Sequence, residues 1–309
     1  MPDPAVFERF AADEIARHPS RYSNGGARAF VVARDGQVRG LLWGTMHIGY
    51  GENTVLPGPV RDRFAQASDL TVEITLDHIP ATVAREVTDA ARKAVLNPDP
   101  AAIAKLDPPT RAALANADLP SGSERLSLMG LNTLVLGRAL AEPSSVLPQG
   151  GIVDVNLIRF ARGQGIPVYS LEQPQMQTAI LWSDPNGADA AVTLTRTLRL
   201  QQNGTLRGLM AWVRDNYGRG RIAETLSAMD SWQSTADDAA PVERTWPVVF
   251  SNRNHAWLPR LDARLALPGF HFIAFGAGHL MGDDGVVALL RGQGWTLLAC
   301  PGDFCPTIQ

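Results

Sequence analysis

Cysteine is almost absent from this chain: its 309 residues contain only Cys300 and Cys305, both at the C-terminal end. That count excludes a scaffold stapled by several disulfides, and two thiols alone are a poor metal-site signal. Their spacing across Pro301-Gly302-Asp303-Phe304 permits one small disulfide loop and equally permits two free thiols, so the redox compartment stays open. No apolar run is long enough for a helix that crosses a bilayer, so no integral membrane segment is expected. The first residues carry Asp13, Glu14 and Arg17 where a secretory leader would be apolar, and the chain reads as soluble and leaderless, cytoplasmic by sequence. There is no long basic run, and 28 Lys and Arg against 31 Asp and Glu leave a formal charge of -3, which argues against nucleic acid or anionic membrane as the main partner. Both the HExxH helix of common zinc proteases and the GxSxG nucleophile elbow are missing, and neither cysteine sits in a motif, so covalent serine or cysteine catalysis is disfavoured. No feature sets the oligomeric state.

What is present is a core-forming composition, 45% hydrophobic, ample for one large α/β domain or a core domain with an insertion. Within it the pattern GxxH occurs twice, as Gly44-Thr45-Met46-His47 and as Gly276-Ala277-Gly278-His279, each directly after an apolar run that reads as a buried strand. Ala29 to Val32 and Leu41 to Met46 flank the turn Arg34-Asp35-Gly36-Gln37 as a β-hairpin. Helical character over Val60 to Ala67 is followed by Leu70 to Leu76, whose alternation marks a strand with Leu70, Val72, Ile74 and Leu76 on one face and Glu73 on the other. A mainly helical insertion runs from about 80 to 147. A helix opens after Gln149-Gly150-Gly151 and carries Asp154, and a short strand from Ile166 to Leu171 delivers Glu172. A second helical stretch occupies about 174 to 237. Pro247 to Leu265 reads as a helix bearing Arg253 and Asn254, His271 to Phe275 as a strand, Gly285 to Arg291 as a helix, and Trp295 to Ala299 as the closing strand. The order strand, GxxH, loop, helix, strand thus appears at both ends, as in a degenerate internal repeat. A single domain with a central mixed sheet flanked by helices is expected.

Ligands of such sheets bind beyond the carboxyl ends of the strands. His47, Glu172 and His279 fall at or just past strand ends, and Glu73 lies near one, so four ionisable groups converge on one crevice if those strands are neighbours. Each also has an ordinary explanation: a structural turn for either GxxH, an edge position for Glu73, a helix cap for Glu172, a first-turn carboxylate favoured by the helix dipole for Asp154, and an exposed pair for Arg253 and Asn254. The tryptophans, Trp257 among them, read as core packing.

The set Leu42 to Gly49, Val72-Glu73, Val153-Asp154, Leu171-Glu172 with Gln177, Arg253-Asn254, and Phe275 to Leu280 with Gly282 and Gly285 resembles the TraB/GumN family, which includes the Tiki proteases. The resemblance spans about Phe30 to Trp295, in the family's order. It implies an active centre of His47, His279 and Glu73, with the family's arginine-asparagine motif on Arg253 and Asn254. It also implies a metal-dependent hydrolase, with peptide-bond cleavage known for the Tiki branch and manganese or cobalt as metals. A wider kinship with erythromycin-esterase-like and haem-binding lipoprotein folds and a periplasmic or secreted location come with it.

The chemistry expected from this set is attack on an amide or ester carbonyl by water activated at a divalent ion held by His47, His279 and a carboxylate. Glu73 is then the remaining ligand or the general base, Arg253 the oxyanion stabiliser, and Asn254 an orienting group. Glu172 and Asp154 stand as alternate ligands or supports of the ligands. Mixed imidazole and carboxylate donors suit manganese or cobalt better than zinc. The expected substrate is a peptide or small molecule. Two alternatives stay open: a metal-independent esterase-like hydrolase in which a histidine activates water, and a protein that binds haem or a peptide without turning it over.

Overall fold

The computed structural model of the chain describes residues 3–46, 56–75, 81–96, 103–104, 106–140, 153–174, 176, 180, 184, 187–233, 240–301 and 305. His47, Leu76, Gln149 to Gly151 and Gln177 lie outside the described residues. Six strands form one mixed sheet: β1 (Ala29–Arg34), β2 (Gln37–Thr45), β3 (Asp69–Val72), β4 (Val168–Ser170), β5 (His271–Gly276) and β6 (Thr296–Ala299). Their order is β4-β3-β5-β2-β1-β6. β4, β3, β5 and β2 are parallel, and β1 runs antiparallel to both β2 and β6. The expected α/β architecture is what the chain adopts.

The local sequence explains the hairpin. Asp35 and Gly36 both take positive φ, 52° and 73°, the conformation of a two-residue turn whose twist matches the flanking strands. β2 then pairs with β5 so that Gly44 faces Phe275 and Thr45 faces Gly276, which brings both GxxH strands to the same edge of the sheet. The order strand, helix, strand occurs as β2, α3 (Gly58–Phe64), β3 and again as β5, α13 (Val286–Gly292), β6. Gly44 is required for the close approach: a Cβ there would lie 2.7 Å from Leu280 Cδ1 and 2.9 Å from Ala277 Cα, inside the second GxxH turn.

Side chains alternate between two buried faces, as a parallel sheet covered on both sides demands. Phe30, Val32, Leu42, Ile273 and Phe275 pack with Trp257, Leu261 and Leu265 of α12 (Asn252–Leu265) and with Val286, Val287 and Leu290 of α13. Val31, Leu41, Trp43, Leu70, Val72, Phe272 and Ala274 pack on the other face with Val60 and Phe64 of α3 and with Val153, Leu157 and Ala161 of α7 (Val153–Gly163). The helical stretches have their own core. Phe7 of α1 (Pro4–Arg17), Leu131 of α6 (Leu128–Leu140), Leu194 of α8 (Ala188–Gln202) and Leu209 and Trp212 of α9 (Thr205–Gly218) are buried together.

Several elements are shorter than the sequence pattern suggests, β4 among them at Val168–Ser170. β3 ends at Val72, because Ser170 Oγ accepts from the Thr75 amide at 2.8 Å in place of a ladder partner. The helix expected from Pro247 is divided: Pro247–Ser251 is a π turn, and α12 begins at Asn252.

At the opposite end of the sheet from the GxxH turns, His271 Nδ1 lies 2.9 Å from Asp69 Oδ2 and Nε2 lies 3.1 Å from the Leu267 carbonyl. Both neighbours accept, so the ring donates from both nitrogens and is an imidazolium. The hydrogen bond to Asp69 raises its pKa above 6.5, against the opposing effect of burial. A raised folded-state value means a stabilising contribution that is complete below the unfolded value near 6.5 and is lost as pH rises through the folded one. Melting curves of the wild type and of His271→Gln between pH ~6 and pH ~9 test this. The wild type should be the more stable at the acidic end, and the difference should shrink as pH rises; a difference that stays constant would contradict the imidazolium.

Candidate active site

β3 ends one residue before Glu73, and the alternation of the strand sends that side chain away from Leu70 and Val72, toward α12. β4 ends two residues before Glu172. The two glutamates are then stitched together by the backbone, Leu171 N–H donating to Val72 O at 2.8 Å and Glu172 N–H to Glu73 O at 2.9 Å. Glu73 Oε1 accepts from the Gly276 amide, the first residue of the second GxxH, at 2.6 Å. Thus β3, β4 and β5 each contribute one fixed point to the same crevice.

Arg253, in the first turn of α12, reaches into that crevice and joins everything in it. Its Nη2 donates to Glu73 Oε2 at 2.5 Å, and its Nε donates to Glu172 Oε1. Its Nη1 donates to the Val249 carbonyl at 3.0 Å and lies 3.0 Å from His279 Nε2. All four residues of the set Glu73, Glu172, Arg253 and His279 are buried. Burial works against the charge on Arg253, but the hydrogen bond to Glu172 and the charge of Glu73 overcome it, so its pKa stands above the ordinary arginine value. A guanidinium bridging two carboxyl groups in a dry site is a strong, geometrically specific arrangement.

The tautomer of His279 follows from its neighbours. Asn254 Nδ2 donates to the Asp284 carbonyl at 2.9 Å, which turns Asn254 Oδ1 toward His279 Nδ1 at 2.6 Å. Nδ1 therefore carries the proton. Arginine cannot accept, so Nε2 presents a lone pair to Arg253. The imidazole is neutral, its acceptor nitrogen 3.8 Å from Glu73 Oε1. Three rings enclose it: Trp257 is tilted at 36° with centroids 4.2 Å apart, Phe250 is edge-on at 5.0 Å and Phe275 edge-on at 6.1 Å.

The expected residues are distributed as follows. Glu73, Glu172, Arg253, Asn254 and His279 meet in one buried network. Asp154, in the first turn of α7, accepts from Thr45 Oγ1 at 3.0 Å and so braces the segment leading to His47. The Gly44 carbonyl on that segment accepts from Tyr217 Oη at 2.8 Å. His47 lies outside the described residues. A neutral imidazole whose other N–H is fixed by an amide oxygen, beside a buried carboxylate, is the donor chemistry of a mixed imidazole and carboxylate ion site. Among the described residues, no three His, Cys, Asp or Glu side chains converge as a cage. Cys300 and Cys305 form a disulfide, the option their spacing permits.

Trp257 is a member of the site that its composition class hid. Its Nε1 donates to Glu172 Oε1 at 2.9 Å, and its ring lies 4.9 Å from the Arg253 guanidinium while stacking on His279. The signal was its spacing, four residues after Arg253 and three after Asn254, which puts the three side chains on one helix face. Phe250 and the Val249 carbonyl come from the π turn, an irregularity that helical periodicity does not announce.

Trp257→Phe keeps the ring contact and deletes one of the two donors to Glu172 Oε1, so it should cost about 1.5–3 kcal/mol, the loss of a hydrogen bond to a charged group. Arg253→Ala, which strands buried carboxyl groups, should cost about 3–5 kcal/mol. Urea unfolding of both variants measures this, and an Arg253→Ala protein as stable as the wild type would show that the network contributes nothing to the fold.

No curated protein and no solved structure matches the chain. The model of the TraB/PrgY/gumN family matches residues 29–298, from the first residue of β1 to the penultimate residue of β6. That span contains the sheet up to Leu298 and every residue of the network, and the chain belongs to the TraB/PrgY/gumN family.

Proposed function

We propose that the chain is a hydrolase of amide bonds, a peptidase assisted by a divalent ion, with the Arg253 network as its centre. The observation that carries this reading is the pairing of a neutral imidazole acceptor, His279 Nε2, with a buried carboxylate and a guanidinium, all within hydrogen-bond reach of Arg253. His279 and His47 would hold the ion, with Glu73 either the remaining ligand or the base beside it, manganese or cobalt suiting the donor types better than zinc. A divalent ion in such a site supplies Lewis acidity toward a carbonyl and toward water.

The chain's own residues do the rest. Asn254 holds the proton of His279 on Nδ1 and keeps Nε2 available. As the base, Glu73 Oε1 is the acceptor for a proton released from water, and the Gly276 amide holds it in place. Arg253, anchored by Glu172 and by the Val249 carbonyl, offers its guanidinium to the negative charge that develops on a carbonyl oxygen under attack. Trp257, Phe250 and Phe275 keep water from the buried face of the imidazole. Nε2 has one lone pair, so the Arg253 hydrogen bond and a bond to an ion at that atom are mutually exclusive.

A second reading needs no ion: with the Arg253 hydrogen bond to it broken, His279 Nε2 itself takes the proton of water while Arg253 binds the anion. A peptide-library digest after chelation, and after manganese, cobalt or zinc is restored, separates the two. The ion-assisted reading expects activity lost on chelation and recovered with manganese or cobalt. Full activity in metal-free buffer contradicts it and leaves the histidine mechanism. His279→Ala should abolish activity in either case. Glu73→Gln should lower kcat by about 10²–10⁴-fold if Glu73 is the base, with ion binding retained.

A further inference from the structure

A pocket of about 190 Å³ lies on the Nδ1 side of His279, outside the network just described. Arg21, Trp246, Phe250, Asn254, Asp283 and Asp284 line it. Its inner wall is shared with the candidate active site, because Asn254 accepts from His279 Nδ1 and Phe250 lies edge-on to the same imidazole. A group seated there would be separated from the Nδ1 side of the imidazole by the Asn254 side chain.

The lining selects for charge. Trp246 and Phe250 form an aromatic wall, their centroids 4.5 Å apart. Trp246 already carries the Arg21 guanidinium 4.9 Å from its centroid, so the ring is a working cation acceptor. The charge of Arg21 is offset by Glu243 at 2.6 Å, while Glu14, 3.8 Å from Arg21, is itself paired with Arg17 at 2.7 Å. Asp283 and Asp284 stand exposed at the rim, the first accepting from Ser23 Oγ at 3.0 Å and the second 2.8 Å from His255 Nε2. The surroundings are therefore negative in balance, and an anionic group would meet two carboxylates with only a neutralised arginine to receive it.

We propose that this pocket is a subsite for a basic side chain of the substrate, a lysine ammonium or arginine guanidinium, held between the aromatic wall and the rim carboxylates. As a substrate subsite this rests on the peptidase reading; binding of the cation does not. The test is calorimetric titration of the full chain, at low salt, with arginine amide blocked as its Nα-acetyl derivative and with the uncharged counterpart, norleucine amide blocked in the same way. Asp283→Asn combined with Asp284→Asn, and separately Trp246→Leu, are titrated beside the wild type, with melting curves to confirm that each is folded. Arginine amide should bind saturably and more tightly than norleucine amide, and the double variant should weaken it by roughly tenfold, the equivalent of ~1.4 kcal/mol. Equal binding of the neutral amide, unchanged binding by the double variant, or no saturable binding overturns the proposal. Arginine amide bound by a chain that cuts no peptide would defeat the peptidase reading and leave the pocket assignment intact. Peptides cut without regard to basic residues, with no arginine amide bound, would do the reverse.

Discussion

The Arg253 guanidinium is in contact with two carboxyl groups, a backbone carbonyl and an imidazole, on residues that come from β3, β4, the π turn and the second GxxH. A planar fork with five donors is the one side chain that satisfies this many acceptors at once in fixed directions. Two carboxyl groups this close, buried without a cation, would not both hold charge. Removing the guanidinium would therefore leave the glutamates without a counter-charge and the imidazole without the donor it faces. The crevice exists in its present form because Arg253 is there.

Packing makes that electrostatic arrangement hold. α12 lays Trp257, Leu261 and Leu265 on the sheet face formed by Leu42, Ile273 and Phe275, which fixes the height and rotation of the helix turn that carries Arg253 and Asn254. Trp257 then has two roles, filling the core with its ring and holding Glu172 with its indole N–H. The glycine at 44 lets the second GxxH turn sit directly against β2, so the two strand, helix, strand units close on each other. Orientation of His279 follows from a chain of neutral contacts, Asp284 carbonyl to Asn254 to Nδ1, with no charge spent on it. The aromatic pocket on that side is lined by two residues that also touch the imidazole, Asn254 and Phe250.

Much of this was legible in the residues. Alternation in Leu70 to Leu76 placed Glu73 on the face opposite the apolar residues, and the Asp35-Gly36 turn and apolar runs located β1, β2 and β5. Both glutamates and His279 were identifiable from strand ends and the GxxH pattern, and Arg253 and Asn254 through the family resemblance. What the sequence concealed is what depends on tertiary contact. Trp257 looks like core because it is core, and its second role needs Glu172, eighty-five positions away, to be seen beside it. The early end of β3 arises from Ser170, and the π turn at Pro247–Ser251 has no period of its own to detect. Nor does charge composition reveal that Arg253 is shared among partners.

Anomalous diffraction from crystals equilibrated with cobalt bears most directly on the claim that this network is an ion-assisted hydrolytic centre. The expected result is an ion at His279 Nε2 with Glu73 bound to it or beside it and the Arg253 guanidinium no longer on that nitrogen. A map with Arg253 still hydrogen-bonded to Nε2 and no ion there, from protein shown to cleave peptide in the same buffer, would contradict it.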